Sequence, residues 1–212
     1  MTPSTHPTRH NWTAYYAAVE GRPPRETLLK ALANFEAEPS GDTTQPRLAV
    51  DLGCGDGRDT IELLRRGWRV LAIDAEQTAF ERMLSRSDLQ PNWRQTQLRT
   101  QVMRFETLAL PIGADLINAS FCLPFCPPAN FPHLWQTILA ALNPEGRFCG
   151  QLFGDRDSWV KFPNRSHQTR EQVIALLQPF EVEWLDEEEH PGVTAIGEEK
   201  HWHIFHIVAR KQ

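Results

Sequence analysis

Val50-Asp51-Leu52-Gly53-Cys54-Gly55-Asp56-Gly57 is the stretch whose reading decides the fold. An apolar run ends here in three glycines at alternate positions, and a helical pattern follows at once. Glycine lacks Cβ and takes positive φ freely, so such a turn lets a ligand approach the backbone closely. In an open α/β sheet, a loop after the first strand lies beside the switch in strand order, where nucleotides bind. Two familiar loops are excluded. A dinucleotide fingerprint needs its third glycine one residue later, where Arg58 stands, and the Gly-Lys-Ser/Thr of a P-loop is absent.

Outward from the loop the pattern alternates strand and helix. Arg47 to Leu52 reads as a strand, and Asp59 to Arg66 as a helix with Ile61 and Leu64 on one face and Gly67 as its stop. Trp68 to Ile73 is nearly all apolar, as befits a strand covered on both faces. Ala79, Phe80, Met83 and Leu84 mark a helix, Leu98–Phe105 and Ala114–Phe121 two strands. Leu134 to Leu142 is a helix closed by Asn143-Pro144-Glu145-Gly146, and Phe148–Phe153 a fifth strand. Thr169 and Gln172 have capping-box spacing ahead of Val173, Ile174 and Leu177. Phe180, Val182 and Trp184 then alternate with Glu181 and Glu183, and Trp202–Val208 is a last strand, joined to them without a helix. The expectation is α/β: a doubly wound, seven-stranded sheet, mostly parallel, with an antiparallel C-terminal strand pair. Upstream, Asn11–Val19 and Glu26–Phe35 read as helices around Gly21-Arg22-Pro23-Pro24-Arg25. Residues 1–10 are expected to be disordered, and 40–46 a polar loop.

Asp51-Leu52-Gly53-Cys54-Gly55-Asp56-Gly57 resembles the D-x-G-x-G-x-G first motif of class I S-adenosylmethionine-dependent methyltransferases. Asp74 closes Val70-Leu71-Ala72-Ile73-Asp74, about 20 residues after the loop, where a carboxylate can accept both hydroxyls of a ribose. Glu106-Thr107-Leu108-Ala109-Leu110-Pro111 resembles the family's acid before a Leu-Pro turn, although aspartate is commoner than glutamate there. The resemblance covers roughly Asp51 to Phe153. It implies a Rossmann-like core over 47–212 in one domain and S-adenosyl-L-methionine as cofactor. The implied cofactor residues are Asp51, Gly53, Cys54, Gly55 and Gly57 in the loop, Asp74 and Ala75 at the ribose, Glu106 and Thr107 at the adenine, and Ser120 facing the methyl group. Trp12, Tyr15, Tyr16 and the Arg22–Arg25 segment resemble the leading segment of small-molecule methyltransferases of the tellurite-resistance type. That implies a helical lid over 11–40, with Arg22 or Arg25 gripping the methionine carboxylate through two donors. The alternative is arginines in solvent at a helix start.

Methyl transfer from a sulfonium asks the protein for alignment and a dry site, so no catalytic triad is required and none is visible. Trp12, Tyr16, Phe121 and Trp159 are the candidates for a substrate pocket. Asp155 and Asp157 are the candidates for a base, against the simpler reading of a turn pairing with Arg156. His201 and His203 alternate on the last strand, compatible with a metal, but a third ligand is missing and edge-strand packing is the simpler account. Glu187-Glu188-Glu189-His190-Pro191 reads as a solvated turn.

Composition sets the outer limits. The chain has 212 residues, 41% hydrophobic and 23% charged, ordinary for one globular domain. Its net charge of −5 lacks the basic excess of nucleic-acid binders. No apolar run is long enough for a membrane span, and the polar N-terminus lacks a signal peptide's apolar core, so a cytoplasmic protein with four reduced core cysteines is expected. The partner implied is a small-molecule methyl acceptor. The same frame also serves cofactor-converting enzymes, aminopropyl transferases and inactive accessory proteins that bind S-adenosylmethionine.

Overall fold

The computed structural model describes residues 12–38 and 46–212, so residues 1–10 and all of the polar loop except Pro46 lie outside it. Helices α1 (Trp12–Val19) and α2 (Glu26–Ala37) precede the sheet. Then follow β1 (Leu48–Leu52), α3 (Arg58–Arg65), β2 (Arg69–Asp74), α4 (Gln77–Ser85), α5 (Pro91–Thr96) and β3 (Leu98–Val102). Next come β4 (Ala114–Ala119), α6 (Phe131–Ala141), β5 (Leu142–Gly154), the two-residue β6 (His167–Gln168) and α7 (Arg170–Leu176). The long strands β7 (Phe180–Val193) and β8 (Glu199–Lys211) close the chain.

Seven strands lie in the order β3-β2-β1-β4-β5-β8-β7, with β6 beside the end of β5. β1 to β5 are parallel to their neighbours, while β8 runs antiparallel to both β5 and β7. This is the expected Rossmann-like sheet. Its strand order reverses between β1 and β4, so the crevice opens at their C-terminal ends.

Strand alternation builds a core on each face. Val50 and Leu52 of β1 pack with Phe131, Leu134, Trp135 and Ile138 of α6. Ala49 faces the other way, toward Leu28 and Leu32 of α2 and Ile61 and Leu64 of α3. Both faces of the central strands are covered, so those strands read as continuous apolar runs. Gly67 stops α3 at φ +80°, and Thr169 and Gln172 form the capping box of α7. All four cysteines are buried and unpaired.

Three expectations are corrected. β3 ends at Val102, and Phe105–Thr107 form a 3-10 turn instead of strand. The Asn143–Gly146 stop lies within β5, where Glu145 takes φ +64° and the pairing with β4 shifts register. Glu187–Pro191 is no turn: it lies inside β7, and its pairing with β8 runs on to Val193↔Glu199. The carboxylates stay in a strand because each finds a cation or imidazole on the strand beside it or the loop below, as described next.

Candidate active site

The loop after β1 is shaped by contacts that exclude side chains. Gly53 has φ +61°, and a Cβ there would lie 2.4 Å from Cβ of Cys122. Gly55 has φ +55°, and a Cβ would meet the Tyr16 ring at 3.1 Å. α1 therefore lies directly on the glycine loop, with Tyr16 buried against it. Burial, then the nearby Asp74 carboxylate, push the Tyr16 phenol well above its ordinary range. Gly57 caps α3 against Met83.

Asp51 ties the loop's two flanks together. Its carboxylate, 1% exposed, accepts from Thr60 Oγ1 at 2.5 Å and from Asn118 Nδ2 at 2.8 Å, joining β1 to α3 and β4. Burial and the neighbouring Asp59 raise its pKa. Asp59 accepts from the Arg25 amide and from Arg58 Nε, both at 3.1 Å. Burial opposes its ionisation, but the Arg58 guanidinium and hydrogen bonds including Ser120 and the Arg25 amide hold it below the usual carboxylate range. Asp74, at the tip of β2, accepts from the amides of Gly55 at 3.0 Å and Glu76 at 2.9 Å. Burial raises its pKa against those two bonds.

These groups line one cleft of about 720 Å³, within the usual size of a small-ligand site. The cleft brings together Asp51, Gly53, Cys54, Gly55, Asp74, Ala75, Glu106 and Ser120, with Trp12, Tyr16 and Phe121. Gly57 and Thr107 are not among its walls. The Thr107 amide is turned back onto the Arg104 carbonyl at 3.2 Å. Arg58 and Asp59 belong to the cleft although the loop motif alone did not single them out. They are the first residues of α3, and the signal was there: a helix start directly behind a glycine loop points its first side chains and amides at the ligand.

A second cavity of about 710 Å³ adjoins the cleft. Trp12, Tyr15, Phe121 and Phe125 line both. Phe121, the residue between them, is strained: φ is +53°, which non-glycine residues rarely adopt. The position is over-determined. Its amide donates to Gln151 Oε1 at 3.0 Å, and the Arg25 guanidinium sits 4.3 Å above its ring. Arg22, Arg25 and Trp159 open onto this second cavity and not onto the cleft. Much of the rest of its wall comes from the hairpin, including Glu188, His190, Trp202 and His206, with Gln151 and Phe153 of β5. Sequence reasoning passed Glu188 and His190 over because Glu187–Pro191 was read as a turn, and it gave Trp202 and His206 no role beyond the last strand. Period-two alternation from Trp202 through Ile204 to His206 carries the signal.

Asp155 and Asp157 line neither cavity. Asp157 is fully buried, ion-paired with Lys200 and accepting from the Trp159 amide at 2.9 Å. Asp155 is exposed beside Arg156 and His203. His203 is buried on Glu187 at 2.9 Å, and His201 pairs with Glu189 at 3.0 Å. Arg156 also bonds Glu187 and Glu189. Among the described residues no group of three or more His, Cys, Asp or Glu side chains could hold a metal.

A reversed-order parallel sheet with this acid-bounded glycine loop is the class I S-adenosylmethionine-dependent methyltransferase fold. Residues 49–146 match a family model described as a methyltransferase domain. Among curated proteins none matches. TehB from Haemophilus influenzae superposes with a TM-score of 0.69 at 14% identity, over 86% of this chain and 62% of TehB. The chain thus spans under two thirds of that protein. The 1,6-didemethyltoxoflavin-N1-methyltransferase of Burkholderia thailandensis gives 0.62 at 22% identity, over 96% and 82%. The N-methyltransferase NodS from Bradyrhizobium japonicum gives 0.64 at 13%, over 87% and 92%. At these identities the likeness is one of fold. No helix among the described residues is long and apolar enough to cross a membrane.

Proposed function

We propose that the protein is a methyltransferase that uses S-adenosyl-L-methionine to methylate a small molecule. The observation carrying this reading is the cleft itself, which joins the glycine loop, Asp74 and Arg58 and shares its inner wall with a second cavity. The residues fit the cofactor. Asp74 offers carboxylate oxygens to a ribose, Ile73, Met103 and Phe105 offer apolar surface to an adenine, and Arg58 at the start of α3 suits a carboxylate. Bound there, the cofactor would supply an electrophilic methyl group.

The chain's own part is placement and exclusion of water. Asp51, Thr60 and Asn118 hold the loop rigid, and Tyr16 covers it. Phe121 fixes the boundary across which a methyl group would pass to an acceptor. Support for a small acceptor comes from the size of the second cavity and its aromatic lining.

Calorimetric titration with S-adenosylmethionine tests the reading. One site per chain is expected, weakened by about 1–3 kcal/mol in Asp74→Ala. Because burial raises the Asp74 pKa, affinity should also begin to fall at a higher pH than an ordinary carboxylate would give. No binding by well-folded protein would overturn the reading.

A further inference from the structure

The second cavity has a polar arrangement that the cofactor does not use. His206 of β8 lines it, and its Nε2 lies 2.7 Å from Glu188 Oε2. A carboxylate can only accept, so Nε2 carries the hydrogen and Nδ1 keeps its lone pair. Glu188 is itself fixed by a second imidazole, His190 Nε2 at 2.6 Å. Burial works against the Glu188 charge, yet the two histidines hold its carboxyl below the usual range. Arg25 also lines the cavity, with its guanidinium over the Phe121 ring.

Phe121 locates these groups relative to the reaction. The His206 ring lies 6.3 Å from the Phe121 ring, edge-on, and the Arg25 guanidinium lies over that same ring. Both therefore stand beside the boundary with the cofactor cleft. The outer wall is aromatic: Phe153, Trp159 and Trp202 pack with ring centroids within 6.3 Å of one another around the buried Lys200 ammonium.

We propose, on the methyltransferase reading above, that this cavity binds a planar oxo-heteroaromatic acceptor and that His206 is its general base. A ring carbonyl or oxyanion meets the Arg25 guanidinium, the ring lies among the aromatic walls, and an ionisable N–H or O–H meets His206 Nδ1. The proton passes to Nδ1 as the acceptor's nitrogen or oxygen bonds to the methyl carbon. The carbon–sulfur bond breaks with its electron pair staying on sulfur. The imidazolium is stabilised by Glu188, a positioning residue, and then gives its proton to solvent. The charged and titratable groups around His206 are Glu188, His190 and its register partner Asp186 from β7, and Tyr15, Arg22, Arg25 and Glu26 of the N-terminal segment lining the same cavity; from β5 it faces neutral Gln151.

Quenching of tryptophan fluorescence by lumazine and xanthine, with caffeine as the N-methylated control, tests this in the presence of S-adenosylhomocysteine. The N–H probes should bind at least tenfold tighter than caffeine. His206→Asn should abolish the preference, and Arg25→Met should weaken all three probes at least tenfold. With S-adenosylmethionine and the best-bound probe, His206→Asn should lose about 100-fold or more in kcat at unchanged cofactor affinity. Glu188→Gln should shift the pH profile, which a purely structural role would not. Equal binding of xanthine and caffeine, no quenching by any probe, or wild-type preference and turnover in His206→Asn would each overturn the proposal. If the probes bind as expected but S-adenosylmethionine does not, methyl transfer fails as the reaction while the ligand class of the cavity stands.

Discussion

Asp157 shows how a residue's neighbours decide its chemistry. An acid beside a strand end invites a catalytic role, but this one is fully buried against Lys200. Removing it strands an ammonium that is 0% exposed at its side chain. Asp157→Ala should therefore cost about 3–5 kcal/mol in urea unfolding, and Asp157→Ala with Lys200→Met should recover most of that. A single mutant as stable as wild type would show that the pair contributes nothing net. Asp51 and Asp74 were legible because a strand end facing a glycine loop leaves an acid little else to do. Arg58 and Asp59 carried a weaker signal, their place at the start of the helix behind the glycine loop, which the loop motif alone did not single out. His206 was hidden by its partner: Glu188 lies 18 positions away, and only the strand pairing brings them together.

Among the elements, the β7–β8 hairpin departs most from the sequence reading. Three consecutive glutamates look like solvent-facing turn, yet each is satisfied across the pairing. His203 first, then Arg170 and Arg156, hold Glu187 at about 2, and Arg156 with His201 hold Glu189 at about 2. Both pKa values are depressed relative to the unfolded chain. Their stabilisation is thus complete above about pH 4.5, the ordinary glutamate range, and is lost as pH falls toward 2. Amide exchange of β7 and β8 from pH 6 to 3, corrected for intrinsic rates, should show protection falling below about pH 4.5, ahead of the central strands. Uniform loss across the sheet would contradict this. β1, β2, β4 and the buried part of β5 were legible from apolar runs because both faces are covered. The Glu187–Pro191 part of β7 was not, because charge paired across a ladder looks like charge in water.

At the scale of the whole molecule, the reversed strand order places the acids, the glycine turn and α1 around one crevice, so ligand binding and global stability are linked. S-adenosylhomocysteine at about 100 times its dissociation constant should stabilise the fold by about 2.7 kcal/mol. For a chain of this length that raises Tm by about 5–10 °C, and Asp74→Ala should show less at the same concentration. A ligand that binds without shifting Tm would argue for binding outside this crevice. The doubly wound plan was legible from strand–helix alternation. The second cavity was not, because it is assembled from segments more than 100 positions apart.

That assembly divides labour along the chain. The cofactor cleft draws on α1, the stretch from Asp51 to Cys122 and a few residues near Arg165, whereas much of the neighbouring cavity's outer wall comes from the hairpin between Glu188 and His206. On the proposed function, mutation in the hairpin would reshape the acceptor's cavity while the walls of the cleft stay as they are. A chimera carrying another protein's hairpin on this frame would put that division to use at the bench.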